Sequence, residues 1–132
     1  MPQIAGEYFQ IGTPPAHGLY ARNVRGLTLD NVRFETATPD LRPAVVLDGV
    51  TDAVFSNFTT GGNPDASSVI RAIDTTDTLI SAARLKSPAA VYLAVEGERS
   101  ADITVDGGNI HRAEKSVTFA QGATEKAAKV RT

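Results

Sequence analysis

Four stretches of this chain follow one template with a period of about 25 residues, which points to a stacked, quasi-one-dimensional array. Residues 18–34 read GLYARNVRGLTLDNVRF, and residues 44–58 read AVVLDGVTDAVFSNF, two apolar strands around an Asx/Gly turn. Looser copies follow at VIRAIDTTDTLISAARL and at VYLAVEGERSADITVDGGNI. Aligned, the copies place Leu29, Phe55, Ile80 and Val105 in one column, and Leu27, Ala53, Thr78 and Ile103 in another two residues earlier. Residues two apart on a strand share a face, so these eight side chains line one interior wall. Leu19, Val45 and Ile70 align on the preceding strand, as do Ala21, Leu47 and Ala72. A last partial copy, SVTFAQ, sets Val117 and Phe119 under Val91 and Leu93.

Columns in constant register predict an all-β chain folded as a right-handed parallel β-helix of about five coils, stacked ~4.8 Å apart. The competing architecture is a sandwich of short antiparallel strands, since alternation alone does not fix strand direction. Asn31 above Asn57 reads as one step of an Asn ladder, with Gly107 near that column, because these residues tolerate left-handed backbone. Loops at 36–42, 60–68 and 84–90 each carry proline, which cannot extend a strand ladder. The expected organisation is an entry or cap segment over 1–17, coils over 18–119 and a tail over 120–132. Tyr8, Phe9 and Ile11 offer apolar cover for the first coil; the Lys/Ala-rich tail is read as a short helix or as disorder.

Composition closes several functional classes. A net charge of -2 in 132 residues leaves no basic face for nucleic acid. Nothing approaches the ~20 apolar residues of a membrane-spanning helix, and MPQIAGEYFQ has no apolar signal core. The absence of cysteine removes disulfide and thiolate chemistry. His17 and His111 are the only histidines, far apart and with no metal-ligand spacing, so no metal or other cofactor is expected.

The string PPAHGLYARNVRGLTLDNVRFETATPDLRPAVVLDGVTDAVFSNF resembles the C-terminal coils of glycoside hydrolase family 28. It looks closest to the bacterial, rhamnogalacturonase- or exo-polygalacturonase-like members, over about residues 7–60. The resemblance implies a pectin-lyase-like solenoid, pectic polysaccharide as the substrate class, no metal, and a secreted or periplasmic location. The family is recognised by Asn-Thr-Asp, Asp-Asp, Gly-His-Gly and Arg-Ile-Lys motifs, and it inverts through an acid and a base that hold a water between them. This chain has neither Asn-Thr-Asp nor Asp-Asp. Ala16-His17-Gly18 and Arg84-Leu85-Lys86 echo the other two but stand several coils apart, so the resemblance transfers fold and lineage and no catalytic residue.

Remaining candidates come from the columns. Asp30 and Asp106 share one column three coils apart, ~14 Å, beyond the ~6.5–9.5 Å of an inverting pair. Asp48/Asp52 and Asp74/Asp77 flank equivalent turns, where turn capping is the first reading and a calcium site the second. Tyr20, Val46 and Arg71 form an outward column with Tyr92 close by; a tyrosine face stacks on sugar and arginine pairs with a uronate carboxylate. Tyr20, Arg71 and Tyr92 are therefore the candidate binding residues, against a plain half-buried sheet surface. Arg22 above Asp48 reads as a cross-strand ion pair. Val54 and Leu79, apolar in an outward column with Thr28 and Thr104, are the candidate interface of a homo-oligomer.

Three functions fit these readings. The first is a non-catalytic, carbohydrate-associated β-helix, excised or descended from a pectin-degrading enzyme, with a polysaccharide or oligosaccharide as partner. The second is a small glycosidase with an unfamiliar site, and the third a structural repeat protein built to self-associate. The missing aspartates weigh against the second.

Overall fold

The computed structural model describes Ala16, residues 18–35 and residues 41–131. The entry segment with Tyr8, Phe9 and Ile11 lies outside the described residues, as do His17 and 36–40 of the first proline loop. Each coil begins with a strand of a first sheet: β1 (Leu19–Arg22), β4 (Val45–Asp48), β7 (Ile70–Ile73), β9 (Ala89–Glu96) and β11 (Ala113–Ala120). A second sheet stacks β2 (Arg25–Asp30), β5 (Thr51–Ser56), β8 (Thr76–Leu85), β10 (Ala101–Asn109) and β12 (Ala128–Arg131). The short strand β3 (Arg33–Phe34) pairs with β6 (Thr59–Thr60), and β6 pairs in turn with the end of β8.

Among the described residues every strand pairing is parallel, and each links one coil to the next. That excludes the sandwich, whose sheets are antiparallel. The chain is a parallel β-helix of about four turns, slightly fewer than the five coils expected from the repeats.

The predicted columns of the second sheet are the observed ones through four successive coils. Leu29 pairs with Phe55, Phe55 with Ile80 and Ile80 with Val105, and all four are buried. Leu27, Ala53, Thr78 and Ile103 form the second buried column. Thr78 belongs there because its hydroxyl donates to the Thr76 carbonyl at 3.2 Å, so that hydroxyl is not left bare in the core. Phe55 meets Phe58 edge-to-face at 5.2 Å, and Phe58 meets Phe34 likewise at 5.8 Å, closing the corner towards the third ribbon.

The last coil departs from the expected register. Val117 pairs with Leu93 and Phe119 with Val95, two residues further along than the repeat suggested. β10 ends at Asn109 and β11 begins at Ala113, so only residues 110–112 connect them. One coil earlier, β8 runs through Leu85 and β9 begins at Ala89, so the expected 84–90 loop shrinks to Lys86–Pro88 and the step from β7 to β9 shortens.

Corners are made by left-handed backbone in register. Asn31, Asn57, Ala82 and Gly107 occupy successive coils at one corner, all with positive φ. Gly107 takes this conformation without strain, Asn tolerates it, and Ala82 adopts it at a cost of roughly 1–2 kcal/mol. Asn23, Gly49, Asp74 and Gly97 build the corner between the two sheets. A Cβ at Gly97 would collide with Oδ1 of Asp74, so small and polar residues alternate down that column.

The tail is neither a regular helix nor disordered. Glu125–Ala127 form a single 3-10 turn, and β12 then adds a strand to β10, with Ile103 opposite Ala128 and Val105 opposite Val130. Ala127 is buried, and Ala123, Ala128 and Val130 pack on the core. An edge of β10 that would template aggregation is thereby paired.

Candidate functional site

Because inward and outward residues alternate, the outer faces of the two main sheets are the surfaces on which this coil can present chemistry. On the first sheet the outward column runs Tyr20, Val46, Arg71, Ala94 and Thr118. Tyr20 is half-buried and Val46 is buried. Arg71 forms a two-pronged ion pair with Glu96 of the next coil: Nε donates to Oε2 at 2.8 Å and Nη2 to Oε1 at 2.9 Å. The Glu96 hydrogen bond raises the Arg71 pKa above its ordinary value against the opposing effect of burial. The fork that would have gripped a uronate carboxylate already grips a carboxylate of its own chain. Arg22 stands in register with Asp48 as expected, yet the ion pair that fastens this face is Arg71–Glu96.

Tyr92 is not on this surface, and the expectation that it stacks on sugar is corrected. Register pairs Arg71 with Ala94, which leaves Tyr92 inside β9, level with Gly18, Ala44 and Val69 of earlier coils. Tyr92 and Leu93 are both buried, and the Tyr92 ring lies fully within the apolar core. Its hydroxyl has no hydrogen-bond partner, and burial pushes its pKa well above the usual phenol value. Simple alternation from Leu93 points Tyr92 outward; two successive buried residues in β9 break that alternation.

The second sheet presents a more regular face. One outward column is Thr28, Val54, Leu79, Thr104 and Lys129; the next is Asp30, Ser56, Ser81, Asp106 and Arg131. Val54 is half-buried, and Leu79 is one of two exposed large apolar side chains among the described residues, the other being Leu41. An apolar pair thus sits at the centre, with hydroxyls and carboxylates around it. Arg131 reaches Asp106 at 3.6 Å, a solvent-exposed contact of little energetic weight.

The carboxylates lie on corners and outer columns. Asp30 and Asp106 are three steps apart on one column, ~14 Å at sheet spacing. Asp52, Asp77 and Asp102 stack in consecutive coils, all exposed and all with positive φ. This ladder continues Gly26 and was visible in the sequence as aspartate recurring at the repeat period. Among the described residues no three His, Asp or Glu side chains gather at metal-binding distance. His111 is exposed on a turn whose N–H donates to Oδ1 of Asn109 at 3.2 Å, a local turn-stabilising contact.

Compared with known proteins, the chain matches no family model, no curated protein and no solved structure.

Proposed function

We propose that this chain is a non-catalytic, carbohydrate-associated β-helix of the pectin-degrading lineage, which binds an extended saccharide along the outer face of its second sheet. The observation that carries the reading is the composition of that face. Thr28, Ser56, Ser81 and Thr104 supply hydroxyls in successive coils around the apolar Val54 and Leu79. A sugar ring has the complementary make-up, an apolar C–H face rimmed by hydroxyls, and a polymer lying along the stack meets an equivalent row every ~4.8 Å. The dispersal of the carboxylates supports a binding role over hydrolysis. Asp30 and Asp106 are too far apart for the inverting reaction of that lineage, and the stacked aspartates sit on strands only ~4.8 Å apart, closer than the ~6.5–9.5 Å an inverting pair needs.

Calorimetric titration with polygalacturonate and rhamnogalacturonan oligomers, beside a reducing-sugar assay on the same substrates, tests this reading. It predicts saturable binding with no product, lost on Leu79→Lys. Turnover abolished by changing Asp30, Asp52 or Asp77 would replace it with the glycosidase reading.

One observation favours a second use of the same face. Leu79 is 37% exposed with Val54 directly beside it, an apolar patch that a second copy of the chain would cover by closed symmetry. Light scattering at tens of micromolar separates the two readings. A dimer or trimer that Val54→Lys/Leu79→Lys dissociates assigns the face to self-association; a monomer that still binds saccharide assigns it to the ligand.

A further inference from the structure

The corner column Asn31–Asn57–Ala82–Gly107 holds a feature that neither saccharide binding nor self-association uses. Asn57-Phe58-Thr59 is an Asn-x-Thr sequence with a residue other than proline in the middle, and none of the other asparagines, Asn23, Asn31, Asn63 and Asn109, is followed by Ser or Thr two residues on. We propose that Asn57 is an acceptor for an asparagine-linked glycan, and that the folded coil carries that glycan without disturbance.

Three structural facts support the assignment. First, Phe58 is buried in the core, while Asn57 before it is exposed and Thr59 after it is half-buried, in register with the exposed Arg84. The acceptor amide and the hydroxyl that a glycosyltransferase reads therefore both lie outside the core. Second, the positive φ of Asn57 and its place in the stack are maintained by its backbone N–H, which donates to the Ser81 carbonyl at 3.1 Å. The fold at this corner therefore needs the backbone conformation, and the exposed carboxamide remains available for substitution. Third, the column beyond it is small. Ala82 follows, then Gly107, where a Cβ would meet nothing within 4 Å, so a bulky group at Asn57 has open space along the corner.

The chemistry is a simple displacement. Nδ2 of Asn57 attacks the anomeric carbon of an oligosaccharide carried on a polyprenyl diphosphate. The new C–N bond forms as the C–O bond to the diphosphate breaks, the amide gives up one proton to a base on the transferase, and the polyprenyl diphosphate leaves.

The test is secretion of the full chain from a eukaryotic host, followed by intact-mass measurement and peptide mapping. The expected result is a glycan on the peptide containing Asn57, removed by an amidase specific for asparagine-linked sugars. Asn57→Gln and Thr59→Ala should each abolish it, and Thr59→Ser should retain it. Thr59→Ala leaves the corner asparagine in place and so separates loss of the acceptor sequence from loss of the fold. The thermal midpoint of the glycosylated chain should match that of the enzymatically deglycosylated one. A secreted, folded chain with unmodified Asn57 would overturn the proposal, as would a glycosylated chain that has lost its β-sheet circular dichroism.

Discussion

Two residues of the core, Phe55 and Tyr92, show how a single side chain is used here. Phe55 fills the interior wall with its ring against Phe58, and truncation leaves a cavity that neighbouring coils, tied by backbone ladders, cannot collapse into. Phe55→Ala should lose ~3–5 kcal/mol of stability by urea titration, and an unchanged midpoint would remove it from the core. Tyr92 is a less favourable occupant, because its buried hydroxyl is unpaired. Its pKa is raised in the folded chain above the ordinary value of 10.0, so the native state keeps the proton that the unfolded state releases. Stability from this group is complete below about pH 10 and declines above it, by roughly 1.4 kcal/mol per pH unit until the folded pKa is reached. Tyr92→Phe should abolish that alkaline limb and leave the chain as stable or more so at neutral pH, measured by denaturant unfolding between pH 7 and 11.

Strands and their registers were legible in the sequence wherever the repeat was strict. The Leu29 and Leu27 columns, the strands before them and the Asn31–Asn57 step all follow from residues recurring at one spacing, and the structure repeats them coil for coil. Legibility failed where the spacing changed. The short Lys86–Pro88 connection shortened the step from β7 to β9, so Ala94 rather than Tyr92 stands beside Arg71, an effect that alternation cannot signal. Arg71 was correctly placed facing out, but its partner Glu96 lies one coil away and is recognised only once the register is known. The tail was misread because Lys and Ala favour helix locally, whereas the open edge of β10 draws Ala128–Arg131 into a ladder. That gives β12 a testable role. Deleting residues 123–131 should lower the unfolding midpoint and raise light scattering at micromolar concentration, because it bares the β10 edge and the apolar surface under Ala127. A truncated chain as stable and as monodisperse as the parent would show that this edge needs no cover.

At the scale of the molecule, function and stability both depend on the coils being parallel and in register. The face proposed to bind saccharide, the apolar pair Val54/Leu79 and the corner proposed to accept a glycan each exist only because equivalent residues stack directly. The most direct test uses the absence of natural cysteine in the chain. Thr51 and Thr76 are paired in register, with the Thr76 hydroxyl donating to the Thr51 hydroxyl at 3.3 Å, whereas Ala101 lies one further coil away. Cysteines on adjacent parallel strands fall within the Cα separation a disulfide bridges, about 4.4–6.8 Å, and two coils, ~9.6 Å, do not. Under mild oxidation Thr51→Cys/Thr76→Cys should form an intramolecular disulfide in nearly all molecules, read by mass spectrometry, and Thr51→Cys/Ala101→Cys should remain reduced. A first pair that stays reduced, or a second pair that closes as readily as the first, would contradict the in-register parallel stack.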